Sequence, residues 1–90
     1  MKFEADAEKA ELNLQKHGVS FEEAASVFGD PLAYTFTDPD HSKDEDRWLM
    51  FGKSMAERLL AVIYTYRAEA CRIISARLAT RRERKIYEEG

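Results

Sequence analysis

Residues 47 to 77 constrain the fold more than any other stretch of this chain, because three strand-like runs follow one another with connections too short to hold a helix. Arg47 to Gly52, Arg58 to about Tyr66 and Cys71 to Arg77 read as strands, separated by a turn near Lys53 to Glu57 and by Arg67-Ala-Glu-Ala. Strands joined by short turns pair antiparallel, so this region is expected to form a meander. Simple alternation in its last strand puts Arg72, Ile74 and Ala76 on one side and Ile73, Ser75 and Arg77 on the other.

Helical signals flank the meander. Asp6 is a suitable N-cap for a helix from Ala7 to about His17, which Gly18 ends as a C′ residue. Ser20 and Glu23 have capping-box spacing, and Phe21, Ala24, Ala25 and Phe28 recur at i, i+3, i+4 and i+7 until Gly29-Asp30-Pro31 stops the pattern. Thr80 and Glu83 form another capping box, predicting a short helix to about Glu89. Lys2 to Glu4 reads as a short strand, and Leu32, Tyr34 and Phe36 alternate with Ala33, Thr35 and Thr37 as a further one. The acid-rich loop from Asp38 to Asp46 has no apolar anchor and reads as the most mobile segment. The order is β, α, α, β, β, β, β, α. It predicts an α+β class in two layers, with helices against an antiparallel sheet.

Ninety residues, 44% hydrophobic and 34% charged, suit a single domain spanning 1–90 with one modest core. Cys71 has no partner for an intramolecular disulfide and reads as a small buried apolar residue. One Cys and two His argue against a structural zinc site, and no cofactor is expected. The first residues lack the apolar core of a signal peptide, and the longest apolar run, Leu59 to Tyr64, is too short to span a bilayer. A cytoplasmic protein with no membrane partner is therefore expected.

Charge is distributed unevenly. The formal net charge is −3, yet Arg72 to Lys85 holds six basic residues and one acid, Glu83. An acidic chain that gathers its positive charge in one place presents it to something anionic, nucleic acid or an acidic protein. Arg81 and Arg82 fall in the first turn of the last helix and Glu88 and Glu89 in its last, the reverse of what the helix dipole favours. The alternative is a solvated helix packed through Ile86 and Tyr87, with Arg84 and Glu88 as an i,i+4 pair.

The blocks Lys9-Ala10, Asn13, Lys16-His-Gly-Val-Ser-Phe-Glu-Glu-Ala24, Val27-Phe28, Asp30-Pro31, Arg47-Trp48 with Gly52, Tyr64-Thr-Tyr-Arg67, Arg72-Ile-Ile-Ser-Ala-Arg77, and Glu83-Arg84 with Tyr87-Glu88 resemble the BrnT toxins of bacterial type II toxin–antitoxin systems. The likeness runs over essentially the whole chain in order and spacing. One departure is visible, Ala5 in the opening Phe3-Glu-Ala-Asp6, where the family usually has Trp. The resemblance implies a ribonuclease toxin with a RelE-like fold, inhibited by a BrnA-like antitoxin that carries a DNA-binding domain.

Metal-free RNA cleavage requires removal of the 2′-hydroxyl proton, stabilisation of the phosphorane and protonation of the leaving oxygen. Arginine suits the middle task through its planar fork, and Arg67 and Arg77 are the leading candidates. With the last hairpin centred on Glu69 they share a face, roughly 20 Å apart along the strands. Each has an alternative as an arginine at a sheet edge or paired with an acid such as Glu69. His17 is a natural proton carrier, unless it only hydrogen-bonds at its helix end. Lys16 is a point charge for phosphate or a decoration of that helix terminus. Arg72, Arg81, Arg82, Arg84 and Lys85 are candidates for RNA binding. A first helix buried along Ala7, Ala10 and Leu14 would set His17 at the edge of its stripe, beside Asn13. His41 lies in the acidic loop; the resemblance to the family offers Glu22 and Glu23 as possible bases, though Glu23 is accounted for by its capping box with Ser20; and Trp48 reads as core, with base stacking as the alternative. The competing function is a non-catalytic interaction module that docks an acidic antitoxin segment on the basic C-terminal face. A solitary nucleic-acid-binding regulator fits less well, given the negative net charge and the lack of a helix-turn-helix or RNP-like string.

Overall fold

The computed structural model describes residues 2–38 and 46–90. His41 and most of the Asp38 to Asp46 loop, to which the sequence reading gave mobility, lie outside them. The chain runs β1 (Lys2–Glu4), α1 (Ala7–His17), α2 (Phe21–Ser26), a 3₁₀ turn (Val27–Gly29), β2 (Tyr34–Thr37), β3 (Arg47–Lys53), β4 (Leu59–Arg67), β5 (Ala70–Leu78) and α3 (Arg81–Glu89). The expected α+β order is present, and the second helix is shorter than its apolar pattern, tightening into the 3₁₀ turn before Asp30.

One five-stranded sheet has the order β1-β5-β4-β3-β2. The meander is antiparallel as expected, and β2 extends it along β3. The sheet as a whole is mixed rather than antiparallel, because β1 pairs parallel to β5 through Lys2, Phe3 and Glu4 opposite Ala70, Cys71 and Arg72. A three-residue strand carries no signal of its direction; the crossover through α1 and α2 sets it.

The last hairpin is tighter than expected. Arg67 pairs with Ala70, so Ala68 and Glu69 form a two-residue loop with Ala68 in the left-handed region at φ 54°. That register would place Arg72 and Arg77 on opposite faces. An irregularity in the pairing between Ile63 and Tyr64 leaves Ile74 as an extra residue, with Tyr64 opposite Ile73 but Ile63 opposite Ser75. A bulge of this kind re-aims every residue beyond it. Thr65 with Arg72, Ile63 with Ser75 and Ala61 with Arg77 therefore share one face, and Arg67 shares it too. The sequence reading had separated Arg72 from Arg77.

The opposite face carries the main core: Met50, Leu60, Val62, Tyr64, Cys71, Ile73 and Ala76 pack against Val19, Phe21, Ala24 and Val27. Trp48 is half-buried against this cluster, the core role expected of it. Cys71 is fully buried, and burial pushes its thiol up to about 11.

Two local features fix how the helices meet the sheet. Gly18 ends α1 at φ 69°, a conformation that glycine adopts without a Cβ penalty, and its N–H returns to the Leu14 carbonyl. On α1 the buried position is Asn13, not Leu14, which is 44% exposed. The expected stripe through Ala7 and Leu14 is thus rotated toward Ala10, Asn13 and His17, because Asn13 has buried backbone groups to satisfy at the edge of β5.

Candidate nucleic-acid interface and active site

β1 covers the outer edge of β5 only as far as Arg72. Beyond it α1 takes over, and Asn13 does there what a strand would do. Its Nδ2 donates to the Ala76 carbonyl at 2.8 Å and to the Val19 carbonyl at 2.9 Å, while its Oδ1 accepts from the Ala76 N–H at 3.1 Å. The next turn of α1 is thereby held beside Ile74 and Ser75. Lys16 and half-buried His17 join Lys9, Leu12, Asn13 and those two β5 residues around a groove of about 210 Å³. Sequence reasoning placed Asn13 beside His17 without assigning it a role; a polar residue three positions after Ala10 on the packing side of a helix was the available signal.

Arg77 lies two residues past Ser75 on the same sheet face, and its guanidinium is engaged. Nη1 donates to Glu83 Oε1 at 2.7 Å and Nη2 to Glu83 Oε2 at 2.9 Å. The expected partner acid, Glu69, is replaced by one in the first turn of α3. Glu83 also accepts from the Thr80 N–H at 2.8 Å while Thr80 accepts from the Glu83 N–H at 3.2 Å, the complete capping box that the sequence predicted. The Arg77 fork, helped by the Thr80 N–H against the cost of burial, holds the Glu83 carboxyl below the usual carboxylate range. One carboxylate thus starts α3 and orients the arginine.

Arg67 stands exposed at the far end of β4, roughly 20 Å of strand from Arg77. The two arginines share a face but not a contact point, as the sequence spacing implied. Arg72 lies between them and is half-buried, 3.7 Å from the Glu4 carboxylate of β1. On α3 the side chains of Arg81, Arg82, Arg84 and Lys85 are exposed, and Arg84 lies 4.0 Å from Glu88 in the expected i,i+4 pair. The helix is anchored through Tyr87, whose hydroxyl donates to Asp30 Oδ2 at 2.7 Å. Burial and the Asp30 carboxylate push that phenol up to about 12.

Glu23 proves different from its sequence reading. Ser20 Oγ accepts from the Glu23 N–H at 3.0 Å, but the carboxylate does not return to complete a capping box. It turns inward to Arg58, whose Nε donates at 2.9 Å and whose Nη2 also binds it, and to the Ser54 hydroxyl at 2.6 Å. Arg58 Nη2 donates as well to the Gly18 carbonyl at 3.0 Å. The Arg58 bond is the main reason that the Glu23 carboxyl titrates below its usual range, despite burial. A carboxylate so fully engaged is a strut between α1, α2 and the β3–β4 turn and is poorly suited to be a base. Glu22 is exposed, away from the groove that holds His17.

Among the described residues no helix is long and apolar enough to cross a membrane. A family model for the ribonuclease toxin, BrnT, of type II toxin–antitoxin systems matches residues 6–83, and this sets the class of protein. The crystal structure of the Brucella abortus ribonuclease toxin BrnT, at 1.1 Å resolution, is similar with a TM-score of 0.69 and 27% identity over 90% of this chain and 99% of that one. No curated protein matches the chain. The chain belongs to the BrnT family of ribonuclease toxins of type II toxin–antitoxin systems. Membership brings with it an antitoxin as partner.

Proposed function

We propose that this protein, acting as one domain in the cytoplasm, is a metal-independent RNA endonuclease that inhibits growth and is neutralised by a BrnA-like antitoxin carrying a DNA-binding domain. The observation that carries the reading is the bulge at Ile74, which turns Arg67, Arg72 and Arg77 to one sheet face in a chain of the BrnT family. Arg77 binds the reacting phosphate, and Arg67 binds another phosphate along the strand. His17 moves the proton, and Lys16 adds a point charge beside it. Arg72 continues the track between the arginines, and Arg81, Arg82, Arg84 and Lys85 extend it over α3. Antitoxin and RNA compete for this surface, since covering the phosphate site is the simplest form of inhibition.

Cleavage of a mixed RNA in EDTA by folded parent, Arg77→Ala and His17→Ala protein tests the reading. Cleavage by the parent, abolished in Arg77→Ala and lowered in His17→Ala, supports it; a folded parent that leaves RNA intact with or without ribosomes sinks it. The bidentate hold of Glu83 on Arg77 favours the second reading, an interaction module whose basic face binds only an acidic antitoxin segment. Tight antitoxin binding with no cleavage under any of those conditions would select it.

A further inference from the structure

The groove between α1 and β5 gathers charge in a way that its fold does not require. Lys9, Lys16 and His17 line it with no carboxylate among them, in a protein of net charge −3. Lys9 and Lys16 are seven residues apart, so they project within roughly 20° of each other around the helix. The negative end of the helix dipole accounts for Lys16 and His17 in the last turn of α1. It does not account for Lys9, which stands in the first turn, where the dipole disfavours a cation and the capping Asp6 and neighbouring Glu8 offset it.

Between the lysines the groove is apolar. Leu12, which stands off the packing side of α1, is 57% exposed, and Ile74, the bulge residue, lines the groove from the β5 side. Ser75 adds a hydroxyl at the floor. By register Ser75 shares its sheet face with Arg77, roughly 7 Å farther along the strand, so the groove opens onto the arginine face.

We propose that this groove is a binding subsite for single-stranded RNA, with Lys9 and Lys16 on backbone phosphates, the Ser75 hydroxyl on phosphate or ribose, and a base or sugar against Leu12 and Ile74. A cationic wall beside an apolar platform is the combination that single strands use, because their bases are free to leave the stack. A paired duplex keeps its bases from Leu12, and an acidic peptide engages the lysines but leaves the apolar platform without a role. The subsite rests on the ribonuclease reading and lengthens its track from the arginine face onto α1.

The test is binding of a 2′-O-methyl oligoribonucleotide of mixed sequence, which lacks the cleavable hydroxyl, across a salt series. Parent protein is compared with Lys9→Ala/Lys16→Ala, with Leu12→Ser and with Lys53→Ala, which removes a positive charge at the far end of β3. The double variant should bind about tenfold more weakly and lose about 1.4 from the slope of log affinity against log salt, about 0.7 for each phosphate contact on a single strand. Leu12→Ser should weaken binding with the slope unchanged, and Lys53→Ala should match the parent. A double variant that binds like a parent still able to cleave RNA overturns the subsite and leaves the ribonuclease reading intact. Loss of antitoxin binding by that variant, with RNA binding kept, overturns it in favour of an acidic protein segment. A folded parent that neither binds nor cleaves RNA overturns both.

Discussion

The side chain of Asn13 pairs with the backbone of Ala76 as an adjacent strand would, through both the carbonyl and the N–H, with a third bond to Val19. Asn13→Ala leaves three buried backbone groups unpartnered, so a loss of about 2–4 kcal/mol is expected by denaturant titration. Leu14→Ala, at a half-exposed position on the same helix, should cost less than about 1 kcal/mol. Equal losses would show that α1 is held by apolar packing rather than by this side-chain strand.

Arg77 and Glu83 make opposite demands on the toxin. The pair supports the start of α3, yet it occupies the guanidinium proposed to bind phosphate. Glu83→Gln keeps the capping geometry and releases the charge. A stability loss of about 1 kcal/mol, modest because the pair is partly solvated, should accompany RNA affinity that is unchanged or several-fold higher. Arg77→Ala should lose both stability and RNA affinity. If Glu83→Gln instead loses RNA binding as fully as Arg77→Ala, the pair itself is the functional unit, and the proposal that Arg77 binds the reacting phosphate on its own fails.

The Glu23 carboxyl is held below its ordinary value by Arg58, so the folded state binds its proton less readily than the unfolded chain does. Its stabilisation is therefore complete above the unfolded value, near 4.5, and is lost as pH falls through the lower folded value. Glu83 has the same sign through Arg77. Glu23→Gln should lower the melting temperature at pH 7 by several degrees, while the parent and variant curves approach each other as pH falls from 4.5 through the lower folded value. A difference constant from pH 3 to pH 7 would mean that Glu23 contributes by packing and not by charge.

The helix caps, the meander and the burial of Cys71 were legible because each depends on residues close in sequence. Asp6 and Thr80 cap as read, Ser20 caps without the return bond from Glu23, and Gly18 closes α1. What escaped depends on contacts made at long range. The direction of β1 follows from a crossover, and the face of α1 from Ala76, sixty-three residues away. The target of Glu23 is Arg58, thirty-five residues on. The Ile74 bulge has no local mark at all, since Ile73-Ile74-Ser75 fits plain alternation equally well, yet it decides which arginines share a face. The candidate site was thus readable only as a set of residue types, while the geometry that joins them was not.

Gly52 is where the sheet admits the 3₁₀ turn most closely. A Cβ there would meet Val27 Cγ1 at 2.7 Å, Ala33 Cβ at 3.1 Å and Asp30 Oδ2 at 3.3 Å. Val27 is fully buried, and Asp30 is fixed by the Lys53 N–H at 2.8 Å and by Tyr87, so neither can retreat freely. Gly52→Ala should therefore cost about 1–3 kcal/mol through overpacking, although the added methyl buries apolar surface. The strain should reach α3, because displacing Asp30 lengthens its bond to Tyr87. Hydrogen exchange in Gly52→Ala is expected to quicken along Arg81–Glu89 as well as near Val27. Faster exchange confined to Val27 and its neighbours would mean that the Tyr87–Asp30 bond does not couple α3 to this end of the sheet.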